Sequence, residues 1–184
     1  MRSTKFLVIL LLLLTACSSA DKVVKTEEAL ATKAFVENSD YEVQLQWARP
    51  LATSELSQLA AANLLPMDSR SGQINLRGTQ NFIRKYGDSL SVYLPYFGTR
   101  QVTINPADTN GAIEFDGIPE DYRVSYNEKR QRSVINFSMD DGTETYNVAI
   151  TVYSNKRVQV NVNSSFRNSI FYTGIMTEQD ELQL

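Results

Sequence analysis

The sequence predicts a mainly β protein, in which an antiparallel meander of about seven to nine strands forms a partial barrel or sandwich, with one or two short helices near the N-terminus. The first observation behind this prediction is that apolar and polar residues alternate, as they do in strands with one buried face. The alternating stretches are residues 90–94, 122–126, 135–139, 146–152 and 158–162. The second observation is that short turn sequences separate these stretches, so consecutive strands are expected to pair antiparallel.

Two segments early in the chain have the spacing of helices. Residues 27–35 carry apolar residues on one side and charged or hydroxyl residues on the other. The apolar side consists of Leu30, Ala34 and Phe35. Residues 53–64 predict a second helix, which Thr53 or Ser54 caps at its start and Pro66 closes.

A further strand is predicted between these helices, over residues 41–47. Its odd-numbered residues are apolar or aromatic and its even-numbered residues are polar. The predicted buried face consists of Tyr41, Val43, Leu45 and Trp47. Pro50 is expected to end the strand, because proline cannot donate to a central ladder.

The N-terminus has the charge and hydropathy order of an export signal. Arg2 and Lys5 precede an unbroken apolar run over residues 6–14, and small residues follow up to Cys17. A run of this length is far shorter than the roughly 20 residues that a membrane-spanning helix needs. We therefore expect residues 1–16 to be a cleaved signal peptide.

The only cysteine of the chain, together with the three residues before it, resembles the lipobox of bacterial lipoproteins. The sequence there is Leu14-Thr15-Ala16-Cys17. The resemblance implies a lipid and palmitate-type acyl chains on Cys17, and so a membrane as partner. An ordinary secretory signal with an incidental cysteine is the alternative. Residues 17–26 then form a lipidated tether that reaches roughly 30 Å, and residues 27–184 form a single globular β domain.

Composition excludes several kinds of function. Loss of residues 1–16 would leave 16 Lys and Arg against 21 Asp and Glu, a formal charge of −5, so no nucleic-acid partner is expected. The chain has no histidine. Ser-His-Asp and Cys-His catalysis and histidine-ligated metals are thereby excluded. We predict no catalytic residue, no cofactor and no metal site.

One segment carries a family resemblance. Residues 87–98 read Gly-Asp-Ser-Leu-Ser-Val-Tyr-Leu-Pro-Tyr-Phe-Gly, which resembles the signature of the Bacteroidota lipoproteins grouped as domain of unknown function 4251 (DUF4251). Residues 113–117, 145–155 and 162–174 are similar in order and spacing. The resemblance extends over roughly residues 30–174.

Two segments depart from that family, namely residues 53–66, which are longer and more helical, and residues 176–184, which are additional. The resemblance implies an exported lipoprotein of the cell envelope. It brings no established activity and no catalytic residues.

Three aromatic residues near Pro95 are the candidate ligand-binding residues: Tyr93, Tyr96 and Phe97. Aromatic faces beside a loop stack on sugars or apolar ligands. The alternative is that Tyr96 and Phe97 close one end of the β core.

Charged residues offer weaker candidates. Glu114 and Asp116 share one face of a predicted strand, as an acid–base pair would, although two exposed carboxylates are the simpler interpretation. Asp140-Asp141-Gly142 indicates a hairpin turn rather than a calcium loop. The basic residues Lys129, Arg130 and Arg132 are expected at a hairpin tip, where they are either solvated or in contact with anionic lipid headgroups or an acidic partner.

Three functions remain open at this stage. The preferred hypothesis is a non-enzymatic lipoprotein that binds a small ligand or an envelope component through the open end of the curved sheet. The second is a structural or assembly partner of another envelope protein, and the third is a carboxylate-based hydrolase. The expected location is the outer membrane, on the periplasmic side, because no acidic run follows Cys17.

Overall fold

The computed structural model describes residues 26–70, 72–98 and 111–179. The predicted signal peptide, Cys17 and nearly all of the predicted tether lie outside the described residues. None of the helices in the described part of the chain is both long and apolar enough to cross a bilayer.

The described residues form two helices and ten strands. The helices are α1 (Glu27–Asn38) and α2 (Ser54–Ala61). The strands are β1 (Tyr41–Pro50), β2 (Ile74–Asn75), β3 (Phe82–Tyr86), β4 (Ser89–Leu94), β5 (Ile113–Gly117), β6 (Glu120–Asn127), β7 (Arg132–Asp140), β8 (Thr145–Tyr153), β9 (Arg157–Ser164) and β10 (Ile170–Glu178). The prediction of a mainly β fold is confirmed. The strand number exceeds the predicted range because the two-residue β2 is too short to show a period.

All strands pair antiparallel, in the order β5-β4-β3-β1-β10-β9-β8-β7-β6, and β2 pairs with β1 beside β3. The last strand returns to pair with the first over nearly their whole length. Strands β5 and β6 stand at opposite ends of this order, yet only Ile118 and Pro119 separate them in the chain. A linker of that length spans about 10 Å at most. The sheet must therefore curl into a half-barrel with one open seam between β5 and β6.

Alternate side chains of the long strands fill the inside of the half-barrel, as the alternation predicts. The largest fully buried side chains include Tyr41, Leu45, Ile83, Leu94, Ile135, Met139, Tyr146 and Tyr172. Strand β6 departs from this pattern, since its inward residues Tyr122, Val124 and Tyr126 are only half-buried beside the open seam.

A β-bulge in β1 reverses the predicted orientation of Trp47. The register against β10 shifts between Leu45 and Trp47, so Ala48 and Pro50 take the inward positions. The buried side chain of Asn81 accepts a hydrogen bond from the Leu45 amide at 2.7 Å and so satisfies the interrupted ladder. The prediction that Trp47 lies on the buried face is wrong, because a period of two does not reveal an inserted residue.

The predicted buried face of α1 is also wrong in part. Its buried residues are Ala29, Thr32 and Val36, whereas Leu30 is 44% exposed. Thr32 is buried because its hydroxyl donates to the Ser154 carbonyl at 2.7 Å, which fixes the helix against the β8–β9 turn. The buried face therefore combines the apolar side chains of Ala29 and Val36 with one hydrogen-bonded hydroxyl.

Helix α2 begins where predicted, with the Thr53 hydroxyl accepting from the Leu56 amide. It ends at Ala61, before the predicted boundary. Asn63 adopts a left-handed conformation with φ 55°, and the Leu64 amide bonds back to the Leu59 carbonyl. This is the usual way in which a helix is terminated by a left-handed residue.

Candidate functional site

The structure separates the three predicted aromatic residues. Tyr93 points outwards from β4, because Val92 and Leu94 point inwards. After Pro95 the chain leaves the sheet, and Tyr96 and Phe97 pack against the core instead. The Tyr96 hydroxyl donates to the Asn168 carbonyl at 3.1 Å. Tyr96 and Phe97 thus lie partly buried against the core, and Tyr93 alone of the three lines the depression described next.

That depression has a volume of about 500 Å³ and lies on the outer face of β4 and β5. The β7–β8 turn bounds it. We call it the acidic cleft, and its lining residues are Phe82, Ser91, Val92, Tyr93, Glu114, Phe115, Asp116, Asp140 and Asp141. Four of these nine residues carry a carboxylate and none is basic, so the cleft favours cationic or hydroxyl-bearing groups.

Two aromatic rings form one wall of the acidic cleft. Phe82 and Tyr93 are a cross-strand pair of β3 and β4, with ring centroids 6.3 Å apart. The Arg84 guanidinium lies 4.1 Å from the Phe82 centroid, and Glu42 holds it at 2.8 Å. The contact with Arg84 restricts the Phe82 ring, which limits the reorganisation that ligand binding would require.

The predicted carboxylate pair lies in the same cleft. In the β4–β5 ladder Glu114 pairs with Tyr93, and Asp116 pairs with Ser91. Both carboxylate side chains are exposed, and Ile113 on the opposite face is buried. The geometry is that of two outward-facing carboxylates next to an aromatic ring.

The carboxylates of Asp140 and Asp141 mainly build the turn. Asp140 accepts from the Gly142 amide at 2.7 Å, and Asp141 accepts from the amides of Thr143 and Glu144 at 2.9 and 2.7 Å. The hairpin-turn interpretation of this sequence is confirmed. Within the described ranges, His, Cys, Asp and Glu residues form no group of three that would hold a metal ion.

A buried polar network lies next to the β7–β8 turn that bounds the cleft. Arg167 Nε donates to Glu144 Oε2 at 3.0 Å, and Arg167 Nη1 donates to the Gly111 carbonyl at 3.0 Å. The Tyr146 hydroxyl donates to Glu144 at 3.0 Å, and burial raises the pKa of Tyr146. Sequence analysis missed this network, because nothing in the local sequence distinguishes a buried Glu or Arg from an exposed one.

The predicted basic sequence forms the β6–β7 turn. Lys129 and Arg130 are exposed there, while Arg132 is half-buried at the start of β7. Gln131 of the same turn accepts hydrogen bonds from the Thr26 amide and hydroxyl at 3.0 and 3.2 Å. The turn thus lies beside the point where the predicted tether enters the domain.

These features define an antiparallel half-barrel with a packed interior and a cleft on its outer surface. The family model described as "Domain of unknown function (DUF4251)" matches residues 24–176, so the chain belongs to this family and the resemblance of residues 87–98 is confirmed. The chain is similar to a DUF4251 family protein from Bacteroides eggerthii DSM 20697, whose crystal structure was determined at 1.95 Å resolution. The identity is 15% and the TM-score 0.52, over 82% of this chain and 87% of that one. This likeness shows the fold alone. No curated protein matches the chain.

Proposed function

We propose that the mature chain is an exported, membrane-anchored lipoprotein that acts as a non-enzymatic binding module, with the acidic cleft as its ligand site. The observation that carries this proposal is the meeting of aromatic rings and carboxylates in one depression, in which none of the described lining residues is basic. Small-molecule sites combine an apolar or aromatic surface with a few polar groups in this way. Of the three predicted ligand-binding residues, Tyr93 is the one that lines the cleft.

The lining defines the chemistry of the ligand. An amine would be attracted by Asp116 and Glu114 and by the electron-rich face of Tyr93. A ring beside that amine would contact Tyr93 and Phe82. The ligand class is therefore a small molecule with a cationic amine next to a sugar or apolar ring, for which an amino sugar is a model.

Calorimetric titration with a glucosamine trisaccharide tests this proposal, and its N-acetylated form serves as the uncharged probe. We expect the cationic form to bind at least about tenfold more tightly, as a desolvated charge contact allows. Tyr93→Ala and Asp116→Asn should each weaken binding, whereas the matched controls Tyr86→Ala and Asp121→Asn, which lie outside the acidic cleft, should not. Equal binding by all four variants would remove the cleft as the site.

Membrane attachment through Cys17 is the second part of the proposal. Its support is the lipobox-like sequence and the short apolar run before it. Metabolic labelling with an alkyne analogue of palmitate should mark the wild type and not Cys17→Ser. Membrane fractionation then tests whether the protein is in the outer membrane, and protease protection tests whether it faces the periplasm. A wild-type protein that is soluble and unlabelled would contradict the lipid anchor.

A carboxylate-based hydrolase is a second candidate, because Glu114 and Asp116 line one cleft. Such an enzyme would need one carboxylate as acid and the other as base or nucleophile. Turnover of an oligosaccharide that both Glu114→Gln and Asp116→Asn abolish would favour it over the binding module.

An assembly partner is a third candidate, because β5 and β6 each have one edge without a ladder in the described sheet. Unpaired strand edges are templates for addition of a strand from another protein. A fixed partner that co-purifies after mild crosslinking, and is lost when proline replaces Phe115 in β5, would favour this function.

A further inference from the structure

A second depression lies on the outer face of the central strands, away from the acidic cleft. Its volume is about 860 Å³. We call it the arginine groove, and its lining residues are Gln46, Trp47, Arg49, Arg77, Tyr153, Ser154, Asn155, Arg157, Val158, Gln159, Thr173, Gly174 and Ile175. Three of them are arginines and none is acidic, although the chain as a whole carries a formal charge of −3.

The sheet register places residues of three neighbouring strands side by side on the floor of the groove. Trp47 of β1 pairs with Thr173 of β10, which pairs with Gln159 of β9. Trp47 belongs to this row only because the bulge in β1 turns it outwards. Bulges often reorient a side chain at a functional site, and here the bulge adds an aromatic ring to a polar row.

The three arginines of the groove form no ion pair with the described residues. None of the guanidinium groups of Arg49, Arg77 and Arg157 lies within 4.0 Å of a carboxylate oxygen in the described part of the chain. The Arg77 guanidinium instead lies 5.9 Å from the centroid of the Trp47 ring, which orients it towards the groove. Three guanidinium groups around one depression attract an oxyanion, and arginine binds carboxylates and phosphates through two parallel hydrogen bonds.

The remaining lining suits a polyhydroxylated ligand. Tyr153 is 37% exposed, and its hydroxyl bonds to Gln159 at 3.4 Å, which limits its orientation. Its ring offers a stacking face, and the amides of Gln46 and Gln159 can both donate and accept. An acyl chain would find Ile175 as the one exposed aliphatic side chain of the described lining, because Val158 is buried in the core.

We infer that the arginine groove binds an acidic saccharide, whose carboxylate, phosphate or sulfate group is held by Arg77 and Arg157 while a sugar ring stacks on Tyr153. This site is independent of the acidic cleft, because the two linings share no residue and differ in the sign of their charge. The inference therefore stands or fails separately from the proposed function.

The groove contains its own probe, since Trp47 is the only tryptophan of the chain. Full-length protein in mild detergent is titrated with oligosaccharides that carry uronate, phosphate or sulfate groups. A neutral oligosaccharide of equal length, inorganic phosphate and hexaglutamate are titrated in parallel. We expect a saturable change in tryptophan fluorescence with at least one acidic saccharide, and a change at least about tenfold weaker with the neutral one.

Matched variants separate the groove from general charge effects. Arg77→Gln and Arg157→Gln should each weaken binding about tenfold in calorimetry, which does not depend on the surroundings of Trp47. Arg123→Gln removes an equal charge from an exposed residue of β6 and should leave binding unchanged. Tyr93→Ala in the acidic cleft should leave it unchanged as well.

Three results would overturn the inference. The first is the absence of a fluorescence change with every acidic saccharide up to about 10 mM. The second is equal binding of hexaglutamate, which would assign the groove to an acidic peptide. The third is a change in tryptophan fluorescence that depends on protein concentration alone and disappears in Asp116→Asn. Such a change would show that a second copy of the chain places its acidic cleft against the arginine groove.

Discussion

Arg167 donates to Glu144 at 3.0 Å, and the two side chains are only 4% and 0% exposed. The guanidinium lies between the rings of Tyr96 and Tyr146, at 5.1 and 5.7 Å from their centroids. Glu144 precedes β8, Arg167 precedes β10, and the carbonyl of Gly111, which precedes β5, accepts from Arg167. One ion pair therefore joins elements from both sides of the open seam.

Removal of either member of this pair should destabilise the protein strongly. We expect Arg167→Met and Glu144→Ala each to lower the free energy of unfolding by about 3 to 5 kcal/mol, because each leaves a buried charge without its partner. Urea denaturation measures the change. The exposed pair of Arg123 and Asp121 is the control, and its removal should cost less than about 1 kcal/mol. Similar small losses for both pairs would contradict a structural role for the buried one.

Gly174 should not tolerate alanine. A Cβ atom there would lie 2.8 Å from the Cα of Leu45 and still closer to the carbonyl oxygen of Gln44, and both are backbone atoms at the β1 bulge. We expect Gly174→Ala to cost at least about 2 kcal/mol, because backbone cannot move aside as a flexible side chain can. Gly72→Ala is the control, since its Cβ meets nothing within 4 Å. A thermal melt distinguishes the two variants, and equal melting temperatures would contradict the close approach of β10 to the β1 backbone at the bulge.

Asn81 should be needed for the bulge. Its side chain accepts from the Leu45 amide and donates to the carbonyls of Leu76 and Thr79 at 3.2 and 2.9 Å. We expect Asn81→Ala to cost about 2 to 3 kcal/mol, because it leaves buried backbone groups without partners. Asn136→Ala removes the same atoms from an exposed position and should cost less than about 1 kcal/mol. Amide hydrogen exchange should show Leu45 losing protection only in the first variant.

Stability should fall at alkaline pH. Burial raises the pKa of Tyr41 and of Tyr172 above the ordinary value of 10.0, and the neighbouring Tyr122 adds to the shift of Tyr41. Both phenols are protonated in either state below pH 10, whereas above it the unfolded chain releases protons that the folded chain retains. The free energy of unfolding should therefore fall as the pH rises above 10, by up to about 1.4 kcal/mol per pH unit for each phenol.

Urea denaturation at several pH values between 8 and 12 measures this slope. Tyr41→Phe and Tyr172→Phe should each make it shallower, whatever their effect on stability at pH 8. A slope that neither variant changes would assign the alkaline loss to other groups.

The sequence was sufficient for most of the sheet, because a period of two is preserved wherever one face is buried. Strands β7 to β9 bury the residues that the alternation predicts, such as Ile135, Tyr146 and Val160. The sequence was insufficient at Trp47, where one inserted residue reverses the buried face, and at Thr32, where a hydrogen bond to Ser154 allows a polar residue to be buried. Both errors come from contacts between residues that are distant in sequence.

The candidate site was predictable only in part. Tyr93 and the pair of Glu114 and Asp116 could be named from local patterns, but only the β4–β5 ladder brings them into one cleft. The partner of Tyr93 in the cleft wall, Phe82, comes from another strand pairing. The arginine groove could not be predicted, because its residues lie on β1, β8, β9 and β10 and after β2, and meet only through the sheet register.

Native mass spectrometry of protein purified gently from its own membranes tests the central claim most directly. We predict that wild-type protein and Tyr86→Ala carry an amine-bearing small-molecule adduct, which Tyr93→Ala and Asp116→Asn lose. Wild-type protein without such an adduct, or an amine-bearing adduct that all four proteins carry equally, would contradict the assignment of the acidic cleft as a ligand site.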